Sequence, residues 1–318
     1  MKAYITMASV AALSVGLTAA LPAAADMFFF STGNPDGKLG SLSRPPSTPP
    51  TTGNPETETA DDFVLTDATV ISRATIHGLI PSGFDVSSIQ QVEVELYHVF
   101  PVDSAPFDGR VPTRVNSPSD VEIAAETRDS AASPATLSFG ATVENKSFTV
   151  ANTVVNNLTP GAKGEGPATG EEVEIDITFT PPIFLPADHY FFRPEVEVAG
   201  GNFLYLSAPR PIVPPGTSFP AGSTDLQSWI RNANLKPNWL RIGTDIIDGP
   251  APQPTFNAAF SLTGDTIPEA GTPGRPNCHG QTISAMARQF GGINQAAMSL
   301  GYFRVDALQE GVSVFCQP

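Results

Sequence analysis

Three segments of the chain alternate apolar and polar residues at every second position. One extends from Val92 to Tyr97, the second from Val173 to Phe179, and the third from Phe256 to Leu262. A period of two is typical of a β-strand that buries one face and leaves the other in water. We therefore expect the glutamates of the first two segments to lie on a solvated sheet face.

Turn-forming residues separate these segments from each other and from several shorter candidate strands. The chain holds 27 glycines and 32 prolines, the residues that most often form turns. No helix that could connect parallel strands is predicted between them. Residues 26–265 are therefore predicted to form a mainly β domain, an antiparallel, jelly-roll-like β-sandwich. Tyr190 begins one strand, where its hydroxyl can bond back to the preceding loop, as in a tyrosine corner.

The pattern changes after Gly264. Residues 266–276 contain three prolines and two glycines and are predicted to be a linker. Beyond them, apolar residues recur at helical spacing and glycines stand where helices would end. Residues 277–318 are therefore predicted to form a small helical module. Its apolar stripes comprise Ile283, Met286, Ala287 and Phe290, then Ala297 and Leu300, then Val305, Leu308, Val312 and Phe315.

The chain's two cysteines, Cys278 and Cys316, bracket this helical segment. In an exported protein they are expected to be oxidised to each other. A redox or metal-binding role is the alternative, but the chain has no CxxC motif. With His279 the cysteines would supply three zinc ligands, whereas structural zinc usually takes four. We predict a structural disulfide that stabilises the module by about 4 kcal/mol.

The N-terminus has the composition of a secretory signal peptide. Lys2 precedes an apolar stretch that ends in Ala23-Ala24-Ala25, and small residues suit the cleavage site. We predict cleavage after residue 25 and a secreted or cell-surface protein. A retained anchor is the alternative, although several polar residues interrupt the stretch. No later segment is apolar enough to cross a bilayer, so the mature chain is expected to have no transmembrane segment.

The charge balance excludes nucleic acid as a partner and differs between two parts of the chain. Lysine and arginine number 17 against 32 aspartates and glutamates, a formal charge of −15. Such an acidic chain lacks the basic footprint of a nucleic-acid-binding protein. Residues 275–318 carry three arginines against two acids (+1), whereas residues 26–274 carry 13 − 30 = −17. This difference favours two unlike modules.

The sequence contains little that predicts catalysis. There is no GxSxG, P-loop or GxGxxG motif, and the four histidines form no HxH or HExxH pair. His189 follows Asp188, but neighbours in a strand point to opposite faces, so we interpret His189 as a hydrogen-bonding strand residue. We predict a non-enzymatic binding, adhesion or matrix protein whose partner is an extracellular glycan or a cell-envelope component.

Three groups of residues are candidates for a site. Acidic residues around Asp61 and Asp62 offer the oxygen ligands that calcium prefers, which predicts a candidate structural calcium site. Trp229, Trp239 and Tyr205 are candidates for a sugar-stacking surface, although such aromatics are often core residues. The alternative function is a polysaccharide hydrolase that uses carboxylates beside the long polar loop at residues 101–134. The acids Glu172, Glu174 and Asp176 are most simply the wet face of a strand.

Three short stretches of the chain are residues 33–37 (GNPDG), 58–63 (ETADDF) and 261–264 (SLTG). Together they resemble a group of uncharacterised secreted bacterial β-sandwich proteins associated with PEP-CTERM sorting. Members of that group often end in a sorting tail, and residues 267–270 (IPEA) stand where one would begin. No apolar helix or basic cluster follows; the end instead resembles a small disulfide-closed helical module of other exported proteins. The resemblance implies location and architecture and supplies no catalytic residue.

Overall fold

The computed structural model describes residues 27–46, 54–100, 115–232 and 239–317. The predicted signal peptide, residues 1–25, lies outside these ranges, as do residues 101–114 of the long polar loop. In the described ranges, none of the helices is long and apolar enough to cross a membrane.

Two β-sheets contain the strands of the described residues. In the larger sheet every strand pair is antiparallel except β2 with β8. Its nine strands are β1 (Met27–Ser31), β2 (Leu39–Leu42), β4 (Thr69–Pro81), β7 (Leu137–Val150), β8 (Asn152–Val154), β9 (Ala168–Leu185), β11 (Leu204–Ala208), β14 (Asn257–Ala258) and β15 (Phe260–Thr266).

The smaller sheet is antiparallel. Its six strands in the described ranges are β3 (Thr57–Val64), β5 (Ile89–His98), β6 (Arg128–Asp129), β10 (His189–Val198), β12 (Trp229–Asn232) and β13 (Leu240–Arg241). Their order across the sheet is β13-β12-β3-β10-β5-β6. Short 3₁₀ turns lie at Val86–Ser88 and Ala124–Glu126, and a π-helical turn at Ile242–Ile247.

The main hydrophobic core lies between the two sheets and confirms the predicted sandwich-like architecture. Alternate residues of both sheets enter this core, and the Phe192 ring of the smaller sheet stacks on Phe260 of the larger one at 5.1 Å. The first two alternating segments lie in strands, as predicted. The third is divided between β14 and β15, and Phe256 and Ala259 lie outside both strands. Tyr190 Oη donates to the carbonyl of Pro186 at 3.0 Å, the tyrosine-corner bond expected from the sequence.

The polar faces of the two glutamate-bearing strands have different environments. In β9 the acids are half-exposed or exposed, as the wet-face interpretation predicts. In β5 that expectation is wrong, because the side chains of Glu93 and Glu95 are only 20% and 14% exposed and Tyr97 is buried. Further chain segments cover this outer face of the smaller sheet. Alternation alone does not distinguish a covered polar face from a solvated one.

Three helices follow the sandwich: α1 (Cys278–Phe290), α2 (Ile293–Ser299) and α3 (Val305–Phe315). Gly291 ends α1 in the left-handed conformation, at φ 76°. Cys278 and Cys316 form the predicted disulfide. The helices share their core with Val70 and Phe184 of the larger sheet, so the small module buries its apolar stripes partly against the sandwich.

Candidate functional site

The outer face of the smaller sheet carries a buried cluster of charged side chains, which we call the arginine cluster. Strand alternation places its members there, because Val92, Val94 and Leu96 of β5 and Phe192 of β10 point into the core between the sheets. Residues at the intervening positions must point outward. The cluster consists of Arg193, Arg231, Glu58, Glu93, Glu95, Glu195 and Tyr97.

Strand register determines which charges face each other. Arg193 lies directly opposite Glu95, and Arg231 lies directly opposite Glu58. Cross-strand neighbours of opposite charge stabilise a sheet, whereas like charges in that position destabilise it. Glu195, however, lies opposite Glu93. The register therefore creates two attractive pairs and one pair of carboxylates that repel each other when both are ionised.

Arg193 connects all four glutamates of the cluster. Its side chain is fully buried, with Nη1 2.7 Å from Glu195 Oε2 and Nε 3.5 Å from Glu58 Oε1. Nη2 contacts Glu95 and lies 3.7 Å from Glu93 Oε1. A buried charge of this kind is tolerated only when such partners surround it.

Arg231 closes the other side of the cluster. It forms an ion pair with Glu58 through two of its nitrogens, and its Nη2 donates to Tyr97 Oη at 3.1 Å. Tyr97 Oη donates to Glu58 Oε1 at 2.9 Å and also contacts Glu95. Four glutamates thus share two arginines and one phenol, so the fully ionised cluster would hold two more negative charges than positive ones.

Proton binding reduces this excess. Burial raises the pKa of Glu93 to about 7, against the pull of Arg193 and with the help of neighbouring Glu95. Burial also raises the pKa of Glu195 well above its usual range. Glu95 responds in the opposite direction: burial would raise its pKa, but Arg193 and a hydrogen bond with Tyr97 hold it below the ordinary value. The environment therefore favours the protonated form of Glu93 and Glu195 and the ionised form of Glu95.

Aromatic rings and part of the long polar loop cover the cluster. Arg231 lies 4.4 Å from the centre of the Trp239 ring, which meets Tyr97 edge-on at 5.5 Å. Trp239 Nε1 donates to the carbonyl of Ser119, and Arg231 donates to that of Asp120. The described part of the loop at residues 101–134 is therefore adjacent to these carboxylates.

The arginine cluster was not predicted from the sequence. Its signal was the polar set of the β5 alternation, Glu93, Glu95 and Tyr97, together with the Arg193 and Glu195 spacing in β10. Charged residues at every second position on two strands are also the pattern of an ordinary solvated face. A search for outward charges of opposite sign on strands rich in aromatics would have found it.

The residues predicted to bind calcium, Asp61 and Asp62, lie on opposite faces of β3. Asp61 points inward and accepts from the Ala258 amide at 2.7 Å, while its Oδ1 has no hydrogen-bond partner. Asp62 points outward, accepts from the Leu226 amide at 3.1 Å and lies 2.6 Å from His189 Nε2. His189 is thus a hydrogen-bonding strand residue, as interpreted from the sequence.

Burial raises the pKa of both aspartates well above their usual range, and the nearby charge of Asp225 adds to the effect. Both carboxyls therefore favour the protonated form. In the described ranges, no group of three or more His, Cys, Asp or Glu side chains is arranged to hold a metal ion. The calcium site at Asp61 and Asp62 stays an untested prediction from the sequence, and this geometry gives it no support.

Thermal unfolding in calcium and then in EDTA tests this prediction. Asp61 and Asp62 point to opposite faces of β3, and backbone amides or His189 already contact three of their four carboxylate oxygens. We therefore expect the same melting temperature in calcium and in EDTA. A ligand specific to the folded state, at a hundredfold excess over its Kd, would add about 2.7 kcal/mol. A calcium-dependent rise that Asp61→Asn removes, and that Asp176→Asn on the exposed face of β9 retains, would contradict this expectation.

The three aromatic residues proposed to stack on sugars are all buried. Tyr205 lies in the core between the sheets, whereas Trp229 and Trp239 pack with Tyr97 and Phe191 on the outer face of the smaller sheet. Their exposed fractions are 1%, 2% and 0%, respectively. The structure therefore places them on two different layers, where their rings stabilise the sandwich and the cover of the arginine cluster.

Comparison of the chain with protein-family models, with curated proteins and with solved structures found no match.

Proposed function

We propose that this protein is a non-enzymatic β-sandwich that binds a partner outside the cell, in an adhesion or matrix role. The observation that carries the proposal is the burial of Arg193 among all four glutamates of the arginine cluster. Each of these four glutamates thus has an arginine partner within the protein, which favours a structural role for the cluster. It joins strands β3, β5, β10 and β12 and supports the sheet.

The proposed location is the cell exterior or the cell surface. The Cys278–Cys316 disulfide supports it, since disulfides persist in oxidising compartments. The signal-peptide composition of residues 1–25 and the resemblance to secreted bacterial sandwiches point the same way. Among partners, a cell-envelope component has the better support, because the three aromatics proposed for a glycan are covered.

Binding to purified cell envelopes tests the proposal. We expect the mature protein to be retained on envelopes and to give no turnover on a panel of polysaccharides. A glycan array run in parallel would separate carbohydrate partners from protein or lipid partners. The absence of binding in both the envelope and the array experiments would overturn the binding function.

A hydrolase is the second candidate, because Glu93 and Glu95 occupy same-face positions two residues apart and differ in pKa. A carboxyl with a pKa of about 7 can donate a proton while its ionised neighbour accepts one. If this were the function, Glu93→Gln would lower turnover by about a hundredfold or more. Glu144→Gln, a change of the same size on the exposed face of β7, would leave it unchanged.

A further inference from the structure

A polar pocket of about 580 Å³ lies where β10 ends and the chain turns toward β11; we call it the turn pocket. Its volume lies within the range of small-molecule sites. Five separate segments of the chain contribute polar side chains to its lining, and none of the three aromatics predicted to stack on sugars belongs to it. These side chains include Arg44, Gln90, Asn156, Glu197 and Asn202.

A β-bulge places Gln90 at the pocket. Strand β5 pairs with β10 with a shift of register between Glu197 and Val198, so that Gln90 has no residue opposite it. Bulges of this kind re-aim a side chain and are frequent beside functional sites. Gln90 is exposed, and neither its amide nor the carboxylate of Glu197 has a hydrogen-bond partner within the described ranges. Both groups are therefore available to a ligand.

The turn after β10 leaves one wall of the pocket without bulky side chains. The Gly201 amide donates to the carbonyl of Val198 at 3.1 Å and closes this turn. Gly200 has the left-handed conformation, at φ 76°, which glycine adopts without steric cost. With Ala199 these glycines line the pocket, so a ligand can approach the backbone closely.

The hydrogen bonds within the protein determine which polar groups remain free. Arg44 Nη1 donates to Asn202 Oδ1 at 2.5 Å, which leaves the amide N–H groups of Asn202 for a ligand. Asn156 Nδ2 donates to Glu165 Oε2 at 3.1 Å, which leaves the carbonyl oxygen of Asn156. The backbone of Arg44 is itself paired in both directions with Thr57, at 2.9 and 3.1 Å. The two amides are thus oriented before a ligand arrives.

The pocket therefore combines hydrogen-bond donors and acceptors with one charge of each sign. Arg44 and Asn202 supply N–H donors, Asn156 and Glu197 supply oxygen acceptors, and Gln90 supplies both. Because the positive charge of Arg44 and the negative charge of Glu197 balance, these five side chains favour neither an anion nor a cation.

We propose that the turn pocket binds a neutral sugar unit whose hydroxyl groups pair with these donors and acceptors. A hydroxyl both donates and accepts, so a ligand rich in hydroxyls matches a mixed set of groups. An anion would meet Glu197 and a cation would meet Arg44, so each charge selects against one class of charged ligand. Polar groups from five segments suit a compact ring with hydroxyls on every side better than an extended peptide, which pairs along one strand edge.

This inference rests on the proposed binding function and names the chemical group that the partner presents. The probe is an array of neutral oligosaccharides, each printed beside the matching uronate and the matching unacetylated amino sugar, and hits are titrated into the mature protein by calorimetry. We expect saturable binding of neutral members only. Tighter binding of a charged counterpart, or no binding to any member, would overturn the proposal.

Treated envelopes distinguish a glycan from a protein partner. Periodate oxidation, which destroys the vicinal diols of sugars, should abolish envelope binding, whereas protease treatment should not. Binding that survives periodate would overturn the proposal, and its loss to protease would then indicate a peptide ligand. The two proposals fail separately: envelope binding with an empty array refutes the sugar and leaves the binding function intact, whereas turnover that depends on Glu93 refutes the non-enzymatic function without affecting the pocket.

Gln90→Ala tests whether the bound sugar occupies this pocket. It should weaken the binding of the neutral hit by about tenfold, because ligand hydroxyls lose hydrogen bonds to the amide. The matched control is Gln309→Ala, which removes an exposed glutamine on α3 and should leave binding unchanged. Both positions are exposed, so the melting temperature of each variant should equal that of the wild type. Equal binding by wild type and Gln90→Ala would overturn the proposal.

Glu197→Gln tests the role of charge while keeping the size of the side chain. It should raise the binding of the matching uronate relative to the neutral sugar by about tenfold or more, because the repulsion between two carboxylates is removed. Glu144→Gln, on the exposed face of β7, should leave that ratio unchanged. An unchanged ratio in Glu197→Gln would refute the charge selection on which the proposal depends.

Discussion

Replacing Arg193 with methionine is expected to lower the free energy of unfolding by about 3–5 kcal/mol, because removing one partner of a buried ionic network leaves the others uncompensated. The side chain of Arg193 is fully buried and contacts Glu58, Glu93, Glu95 and Glu195. Methionine fills similar space but supplies no charge. Urea unfolding at neutral pH measures the loss.

The control for this variant is Arg73→Met. Arg73 lies on β4 at an exposed position, so the change in net charge is the same while no buried network is broken. We expect the control to change stability by less than about 0.5 kcal/mol, as is usual for surface substitutions. A loss of equal size in both variants would show that net charge, and not the arginine cluster, is responsible.

The pH dependence of the Arg193→Met loss separates electrostatics from packing. Protonated carboxyls need no counter-charge, so the loss should be largest above pH 7 and should shrink as the pH falls. A loss that does not vary with pH would indicate a packing defect.

In the wild type, Glu93 contributes to pH dependence with a definite sign. Its pKa is about 7 in the folded protein against an ordinary 4.5. Between these values the folded state binds more protons than the unfolded state, so this group makes stability fall as the pH rises through that window. Glu93→Gln should flatten this slope, whereas Glu144→Gln should not.

Cys278→Ser is expected to unfold the helical module while the sandwich remains folded. The disulfide joins residues 38 positions apart, and closing a loop of this size stabilises the folded state by about 4 kcal/mol in the chain-entropy model. A unit this small has little stability beyond that. Limited trypsin digestion followed by mass spectrometry should detect cleavage after Arg288 in the variant and not in the oxidised wild type.

Contacts between the helical module and the sandwich limit how far Cys278→Ser can unfold the module. Phe315 stacks on Phe184 at 4.0 Å between ring centres, and this contact does not depend on the disulfide. The reduced wild-type protein should be cleaved by trypsin in the same way as Cys278→Ser. Ser284→Ala, an exposed change in the same helix, should resist trypsin as the oxidised wild type does. Unchanged proteolysis of Cys278→Ser would show that packing on the sandwich is sufficient to hold the helices.

Local patterns of the sequence were sufficient to predict the strands with a regular alternation, the helical segment and the disulfide. The period of two in β5 and β9, the helical stripes after Gly264 and the bracketing cysteines all report local backbone geometry or simple pairing. The hydrogen bond from Tyr190 to Pro186 was predictable in the same way, because the two residues are close in the chain. These features depend on few long-range contacts.

Only the tertiary structure decided which polar faces are covered and which charges meet. Glu93 and Glu174 have similar sequence surroundings, yet other chain segments cover only the strand that carries Glu93. Whether Arg193 faces Glu95 depends on strand register. Such outcomes arise from contacts between residues far apart in the chain, about which periodicity along the chain carries no information.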